Sequence, residues 1–384
     1  MGCSKGAKNL IRFPFPSFQK LRQVNGWIIG ILVLIASIGF VVLYSAAGGN
    51  FFPWTEKQMI RFLAGLVVLI AIAVIDLRVW LTQSYILYIV SLVMLFAVEI
   101  AGRIGMGAQR WIDLYVFNIQ PSELIKITLL MALGRYFHEM TLEDIRKLRY
   151  LIVPALMTIV PALLVIRQPD LGTAILLLFA GGTIFFVAGI RLWKVMLICV
   201  ASLSAIPLLW HFMYDYQKER IFTFLDPERD RLGAGYNILQ ANIALGSGGF
   251  LGKGFRSGSQ SHLNFLPEKQ TDFIFATYCE EFGVLGGAVL LFLYICLIIY
   301  GYRVALASRS SYGRLLAMGL TTLLFLYVFI NMAMVMRLVP VVGIPLPLVS
   351  YGGTAMLTVM MGIGLLMSIA IHRDVRIGRA GTFL

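Results

Sequence analysis

Long, almost uncharged apolar stretches recur along this chain, and they restrict its possible folds more than any other feature. Most contain about 17 to 25 residues, which as a helix is enough to cross a hydrocarbon core about 30 Å thick. Of the 384 residues, 59% are hydrophobic and only 13% are charged, a composition that soluble domains do not have. The sequence therefore predicts an all-α, polytopic membrane protein without a separate soluble catalytic domain.

The apolar stretches predict about ten transmembrane helices. We expect them at 26–46, 59–76, 83–101, 121–137, 150–166, 171–189, 193–214, 273–301, 314–336 and 353–371. Basic residues such as Lys5, Lys8 and Arg12 precede the first stretch, and further clusters fall in the alternate short loops, for example at 146–149 and 373–379. The positive-inside rule then predicts cytoplasmic tails at 1–25 and 373–384, around a transmembrane domain at 26–372.

The net charge of +13 follows from this topology and from attraction to anionic lipid headgroups, so it gives no reason to expect nucleic acid as a partner. The four cysteines suggest neither a disulfide nor a metal site by their spacing. No metal-ligand motif of recognised spacing is present either, so we predict no protein metal site.

A connection of nearly 60 residues, about 215–272, separates the predicted seventh and eighth helices and should face outward. It is rich in glycine and charge, which is compatible with a mobile loop. Residues 238–245, however, have a short amphipathic period that predicts an interfacial helix and an ordered lid.

Asp272 stands where this connection meets the eighth helix, within Leu-Pro-Glu-Lys-Gln-Thr-Asp-Phe-Ile-Phe. One interpretation is a helix N-cap, for which Asp is a preferred residue. The other is a general base at the membrane surface, where partial desolvation raises a carboxylate pKa towards a useful value. The two roles are compatible.

Glu123 and Lys126 are three residues apart in the fourth helix, which Pro121 should begin. Ionisable groups within a membrane usually face a cavity or each other, so the pair marks either a functional site or a packing salt bridge. Arg110 precedes it, in Gly-Ala-Gln-Arg-Trp-Ile-Asp. The outward turn that ends in Asp170 either adds to the same polar mouth or is only a turn.

Two further features interrupt the apolar pattern. Glu280 and Glu281 lie within the eighth helix, where adjacent carboxylates are costly unless one is protonated or paired. Residues 340–353, rich in proline and glycine, cannot form a regular helix, and irregular backbone at membrane depth has to lie against protein or a water-filled cavity. The polar clusters all fall on the outward side, and together they suit a substrate with an anionic head and a long apolar tail.

Four motifs make a family resemblance specific, namely 120–126, 168–173, 267–275 and 345–354 (Pro-Leu-Pro-Leu-Val-Ser-Tyr-Gly-Gly-Thr). In this order they resemble the signatures of the SEDS family, the cell-wall glycan polymerases, across residues 25 to 375. The stretches around Arg110 and Ser350 look more like the RodA-like elongation branch than the division branch. Gln270 departs from the pattern, since many relatives have His there.

The resemblance implies polymerisation of lipid II into β-1,4 glycan strands at the outer leaflet of the bacterial inner membrane. Asp272 aligns with the family's essential carboxylate, and we interpret it as the base of an inverting transfer. Arg110, Lys126 and Arg220, in falling order, are candidates to stabilise the departing diphosphate. Other predicted cleft residues are Glu123, Asp170, Lys269 and Ser350. A divalent cation such as Mg²⁺ or Mn²⁺ would have to be held partly by substrate.

The resemblance also implies a class B penicillin-binding protein, a transpeptidase, and other elongation-complex membrane proteins as partners. Three alternatives stay open: a division-type polymerase, a structural scaffold, and a lipid II flippase. A flippase is expected to have a site at the membrane midplane, often with inverted repeats. No clear repeat is detectable in the sequence, and its polar clusters are at the outer surface, which favours an enzyme.

Overall fold

The structure is a computed structural model that describes residues 23–101, 103–105, 108–113, 118–191, scattered positions between 193 and 211, and 215–226, 234–263, 265–266 and 268–378. Its helices are α1 Gly26–Ala46, α2 Thr55–Val74, α3 Leu77–Ala101, α4 Pro121–Glu139, α5 Leu142–Ile145, α6 Ile152–Arg167, α7 Leu171–Val187, α8 Asp215–Leu225, α9 Ala234–Ser247, α10 Ser259–His262, α11 Ile274–Ala307, α12 Ser311–Val335 and α13 Gly353–Ile371.

Seven helical segments in the described part of the chain are long and apolar enough to span a membrane. They are α1, α2, α3, α11, α12 and α13, together with the segment Leu148–Arg167, which includes α6. α7 is apolar but shorter, and α4 carries four charged residues. The chain is therefore a multi-pass membrane protein, as predicted. Most of the predicted helix at 193–214 lies outside the described residues, and so do positions 1–22 and 379–384 of the predicted tails.

The observed helices agree with the predicted ones to within several residues, and the bounds 26–46 and 353–371 coincide. α2 and α3 begin earlier than predicted, at Thr55 and Leu77. Their first turns contain polar residues such as Glu56 and Arg78, which apolar patterning assigns to loops although the backbone is already helical.

α4 and α12 form the interior of the bundle. α4 packs against α3, α6, α7, α12 and α13, and nearly all its residues are buried. α1, α2, α3 and α11, by contrast, expose many large apolar side chains. Those faces are suited to lipid, whereas the charged residues of α4 need partners within the protein.

A small antiparallel sheet joins α3 to α4. Its strands are β1 Arg103–Gly105, β2 Ala108–Asp113 and β3 Asn118–Ile119, with β2 in the centre and Ile112 opposite Ile119. The sequence pattern does not predict these strands, because their alternation is too short to recognise. The sheet gives Arg110 a fixed backbone next to the α6–α7 turn.

Three short helices, α8, α9 and α10, lie in the described parts of the 215–272 connection. α9 includes residues 238–245, so the helix predicted there is confirmed. α9 packs against α11, and Ala241 and Ala244 are fully buried. The described part of the connection thus contains three helices, of which α9 packs against the bundle, rather than being a featureless loop.

α11 is interrupted at Gly283, whose φ of 68° and ψ of −167° are not helical. The predicted eighth helix is present, but the sequence pattern does not predict its interruption here. Residues 248–254, which we call the glycine loop, enter the interruption: the N–H groups of Val284 and Leu285 donate to the carbonyls of Gly249 and Phe250. A Cβ on Gly283 would lie 2.4 Å from the Gly252 nitrogen, so a side chain cannot be accommodated at this crossing.

Candidate active site at the start of the broken helix

Asp272 lies two residues before α11, and the interpretation of its side chain as an N-cap is wrong. The N-cap position belongs to Phe273, with no side-chain cap hydrogen bond. None of the described residues donates a hydrogen bond to the Asp272 carboxylate. A half-buried carboxylate without such a partner is available for a reaction.

The surroundings raise the pKa of Asp272 to about 6. Burial is the largest cause, since it disfavours the charged form, and the negative charge of Glu268 acts in the same direction. Arg220 on α8 opposes the shift, and Asp170 adds slightly to it. Arg220 and Asp170 are both predicted cleft residues, and both act electrostatically on this carboxylate although they are more than 45 positions away in sequence.

The backbone around Asp272 is fixed by side chains from other segments. The Asn331 side chain on α12 donates to the carbonyl of Asp272 at 3.1 Å and to that of Ile344 at 2.7 Å. Ser350 donates from Oγ to the carbonyl of Thr271 at 2.7 Å and accepts from the N–H of Leu346 at 2.7 Å. The irregular 340–353 segment therefore lies directly against the Asp272 turn.

Gly343 lies beside the Asp272 carboxylate in this segment. Its φ of +73° is in the left-handed region, and an added Cβ would be 3.4 Å from Asp272 Oδ2. The missing side chain leaves room for another group to approach this oxygen. Sequence reasoning identified the irregular segment but not this glycine, because φ cannot be read from the glycine-rich stretch.

Glu123 and Lys126 form a closed cluster with Tyr327 inside the bundle. Lys126 Nζ lies 2.7 Å from Glu123 Oε1 and also donates to the Tyr327 hydroxyl, which donates to Glu123 Oε2 at 2.8 Å. Lys126 is only 1% exposed. This arrangement has the geometry of a packing salt bridge, and both carboxylate oxygens of Glu123 already accept hydrogen bonds.

Tyr327 and Asn331 connect this cluster to Asp272. They are four residues apart on α12, so their side chains lie on one face of the helix, about 5–6 Å apart at Cβ. Sequence reasoning missed both residues. A polar amide and a phenol one turn apart in an apolar helix were the available signal.

Arg110 and Asp170 fix the turn between α6 and α7. Arg110 donates from Nε to the carbonyl of Gln168 at 2.9 Å and from Nη2 to the carbonyl of Pro169. Asp170 caps α7 by accepting from the N–H of Thr173 at 3.2 Å and from its hydroxyl at 2.9 Å. The structural interpretation of this turn accounts for both side chains, although the charge of Asp170 still acts on Asp272.

Lys269, three residues before Asp272, is nearly buried, and this burial lowers its pKa from the ordinary value. A small cavity of about 10 Å³ lies nearby and is lined by Tyr327, Ser350 and the Pro345–Leu348 stretch. Tyr327 and Val359 also line a second small, apolar cavity of about 20 Å³ between α4, α12 and α13. Within the described residues, the space around the Asp272 turn is thus followed by apolar space deeper in the bundle.

The two adjacent carboxylates of α11 both have partners. Glu280 Oε1 lies 2.8 Å from Lys253 Nζ, and Glu281 accepts a hydrogen bond from the Ser45 hydroxyl. In the described part of the chain, no three carboxylate, histidine or cysteine side chains are grouped so that they could hold a metal ion.

Comparison with known proteins agrees with this architecture. The sequence pattern of the FTSW_RODA_SPOVE family, described as cell cycle proteins, matches residues 25–375. Peptidoglycan glycosyltransferase MrdB of Escherichia coli K12 is 43% identical over 347 residues, which cover 89% of this chain and 93% of the relative.

Two solved structures are also similar. One chain comes from a study of the coordination of polymerization and crosslinking by a peptidoglycan synthase complex. It has a TM-score of 0.78 and 32% identity, covering 91% of this chain and 98% of that one. The rod shape determining protein RodA of Thermus thermophilus has a TM-score of 0.68 and 27% identity over 91% of this chain and 97% of its own. With a family match over nearly its whole length, the chain belongs to the FTSW_RODA_SPOVE family.

Proposed function

We propose that this protein is a peptidoglycan glycosyltransferase of the elongation type, which polymerises lipid II into β-1,4 glycan strands. The names of MrdB and RodA among its relatives support the activity and its association with rod shape. The observation that carries the chemical assignment is the Asp272 carboxylate, half-buried, free of hydrogen-bond donors from described residues, and with its pKa raised to about 6.

In the proposed reaction, the 4-hydroxyl oxygen of the acceptor sugar attacks C1 of the donor sugar, which is α-linked to undecaprenyl diphosphate. The C1–oxygen bond to the diphosphate breaks on the opposite face, and the hydroxyl proton passes to Asp272. One displacement inverts the configuration and gives the β linkage, much as one base activates water in inverting glycosidases. A base with a pKa of about 6 is deprotonated at neutral pH and still accepts a proton efficiently.

The departing diphosphate needs positive charge, for which Arg110, Lys126 and Arg220 are the candidates. Arg220 acts electrostatically on Asp272, and Lys269 lies in the same turn as Asp272. Arg110 and Lys126 already donate to carbonyls, to Glu123 and to Tyr327. Because the charge of Arg220 acts on Asp272 itself, we propose Arg220 beside Arg110 and Lys126 as a cation near the departing diphosphate, with Lys269 as a further cleft residue. A divalent cation, if one takes part, would be bound mainly by the diphosphate oxygens.

We propose that the 215–272 connection faces outward, that both tails are cytoplasmic, and that the membrane is the bacterial inner membrane. As the structural relative belongs to a peptidoglycan synthase complex, we also propose a class B penicillin-binding protein as partner.

The decisive experiment is polymerisation of purified lipid II by the full-length protein with its penicillin-binding partner in detergent. Moenomycin is added to silence contaminating polymerases of the other class. Wild type is compared with Asp272→Ala and with Glu56→Ala, a control that removes an exposed carboxylate at the start of α2. Loss of a general base lowers the rate by roughly 10² to 10⁴, so Asp272→Ala should give no ladder while the control keeps the wild-type rate.

Ladders from a folded Asp272→Ala variant at the wild-type rate would remove Asp272 from the mechanism. If neither the wild type nor any variant makes ladders, and the wild type moves lipid II across liposome membranes, the polymerase function is wrong and the flippase alternative takes its place.

A further inference from the structure

Lys253 and Glu280 form an ion pair that the proposed chemistry does not use. Glu280 is fully buried in α11, and its Oε1 accepts from Lys253 Nζ at 2.8 Å, from the N–H of Gln260 at 3.0 Å and from Ser259 Oγ at 3.2 Å. Lys253 belongs to the glycine loop, and its side chain is 28% exposed. A buried carboxylate has to be desolvated, so three donors on one oxygen indicate a site that holds it in one place.

The pair sits at one end of a short rigid body. Ile274–Phe282, which we call the half-helix, is the nine-residue part of α11 before the interruption, about 13 Å long. Every residue from Ile274 to Glu281 is buried. Asp272 lies two residues before the half-helix at one end, and Glu280 lies in its last turn at the other.

The neutral backbone contacts at the interruption are already complete without the ion pair. The N–H groups of Lys253 and Gly254 donate to the carbonyls of Glu280 and Glu281, each at 3.0 Å, while Val284 and Leu285 donate to the glycine loop. Gly252 and Gly283 meet at backbone distance, so no side chains interlock at the crossing itself. The Lys253–Glu280 contact adds an ionic side-chain constraint between the glycine loop and the half-helix, beside the Phe255–Phe282 ring contact and the Ser45–Glu281 hydrogen bond.

We propose that Lys253 and Glu280 are positioning residues, whose ion pair locks the glycine loop to the half-helix and thereby sets how deeply the Asp272 carboxylate is held. This inference rests on the proposed function of Asp272 as the base. The charged groups that act on Asp272 are Glu268 in the same turn, Arg220 on α8 and Asp170 before α7, and none of them is altered by changing the pair. Release of the half-helix should hydrate Asp272 and return its pKa towards the ordinary, lower value.

The test uses the full-length protein with its partner and lipid II, with initial polymerisation rates measured from pH 5 to pH 8.5. Lys253→Met and Glu280→Gln remove the ion pair, and Lys253→Arg keeps its charge. Glu139→Gln is the matched control, because it removes an ion pair of similar length, with Arg135 at 3.1 Å, at the other end of α4 from Glu123. Hydrogen exchange of peptides covering 273–282 is measured on the same samples.

We expect Lys253→Met and Glu280→Gln to be about 10- to 100-fold slower, as small misplacements of a catalytic group are costly. Their acid limb, the fall in rate at low pH, should occur at a lower pH than in wild type. The backbone amide hydrogens of the half-helix should exchange faster. Lys253→Arg should keep the wild-type rate, acid limb and protection from hydrogen exchange. Glu139→Gln should also resemble wild type. A variant that is merely unstable loses rate at all pH values, with an unmoved limb and faster exchange in every helix.

Unchanged exchange of 273–282 in both Lys253→Met and Glu280→Gln would overturn the proposal whatever the rates are, and so would an acid limb that stays at the wild-type pH. Failure of the proposed function has a different signature, since Asp272→Ala would then polymerise lipid II like wild type even where the exchange results hold.

Discussion

Glu123 and Asp272 are two carboxylates at helix starts on the same side of the bundle, yet their surroundings differ. Both oxygens of Glu123 accept hydrogen bonds, from Lys126 and from Tyr327, whereas Asp272 has only backbone contacts among the described residues, through Asn331. Glu123 is therefore held by side-chain donors on both oxygens. Asp272 has no such donor among the described residues and its pKa is raised, which leaves its carboxylate able to accept a proton.

The largest expected effect is the loss of polymerisation activity on changing Asp272, which distinguishes it from Glu123. Asp272→Asn removes the base while keeping the side-chain volume, and we expect polymerisation to fall by about 10² to 10⁴. Partner binding should stay intact, and the thermal midpoint should not fall. Lipid II polymerisation by the purified complex measures the rate, and an Asn variant at more than a tenth of wild-type rate would place the base elsewhere.

Next, Lys126→Met tests whether the Glu123 cluster is structural. Removing one partner of a buried ion pair leaves the other charge uncompensated, which costs about 3–5 kcal/mol. The thermal midpoint in detergent should therefore fall strongly. A double variant, Lys126→Met with Glu123→Leu, should recover much of the loss. Wild-type stability of the single variant would contradict a closed packing cluster.

Asp272→Asn should have the opposite effect on stability. Because the folded pKa of about 6 lies above the unfolded value, the contribution of the aspartate to stability is complete below the unfolded pKa and is lost as pH rises through 6. The Asn variant does not titrate. It should therefore gain on the order of 1–2 kcal/mol over wild type above pH 7, after discounting for partial exposure, and little at pH 4. Unfolding midpoints across this range measure the difference, and a gain independent of pH would refute its electrostatic origin.

The smallest effect is expected from Gly343→Ala. A residue with a Cβ in the left-handed region costs roughly 1–2 kcal/mol, and the new methyl group would contact Asp272 Oδ2. We expect a slightly lower thermal midpoint and an acid limb of the rate profile moved to higher pH, since the carboxylate becomes less hydrated. Gly182→Ala on α7, where nothing lies within 4 Å, is the control. A limb moved to lower pH would mean that Gly343 does not shield the carboxylate.

The sequence was sufficient for the helices and for the motifs around Asp272, because apolar run length and local chemistry are written in consecutive residues. It was insufficient at Gly283. Glycine is common in transmembrane helices, and the cause of the interruption, the glycine loop, lies some 30 residues earlier in the chain.

The sequence also did not show which residues are the hydrogen-bond partners of the polar side chains. Spacing placed Glu123 beside Lys126, but only the packing of α12 brings in Tyr327 and sets Asn331 against the Asp272 carbonyl. Likewise, the donors of Arg110 are occupied by carbonyls of the α6–α7 turn, a contact between segments nearly 60 residues apart. The sign of a side chain's charge can be predicted from the residue alone. Whether that side chain is engaged by other residues or can contact a substrate depends on neighbours that are distant in sequence.

The interruption at Gly283 also changes what the insertion machinery has to recognise during synthesis. The 24 residues from Val284 to Ala307 are about 36 Å long as a helix and can span the bilayer alone. Glu280 and Glu281, each of which would cost about 2.5–3.5 kcal/mol at the centre of an inserting helix, lie before this segment. We expect the nascent chain to integrate from Val284 onward, with the half-helix docking later on the glycine loop that was translated before it.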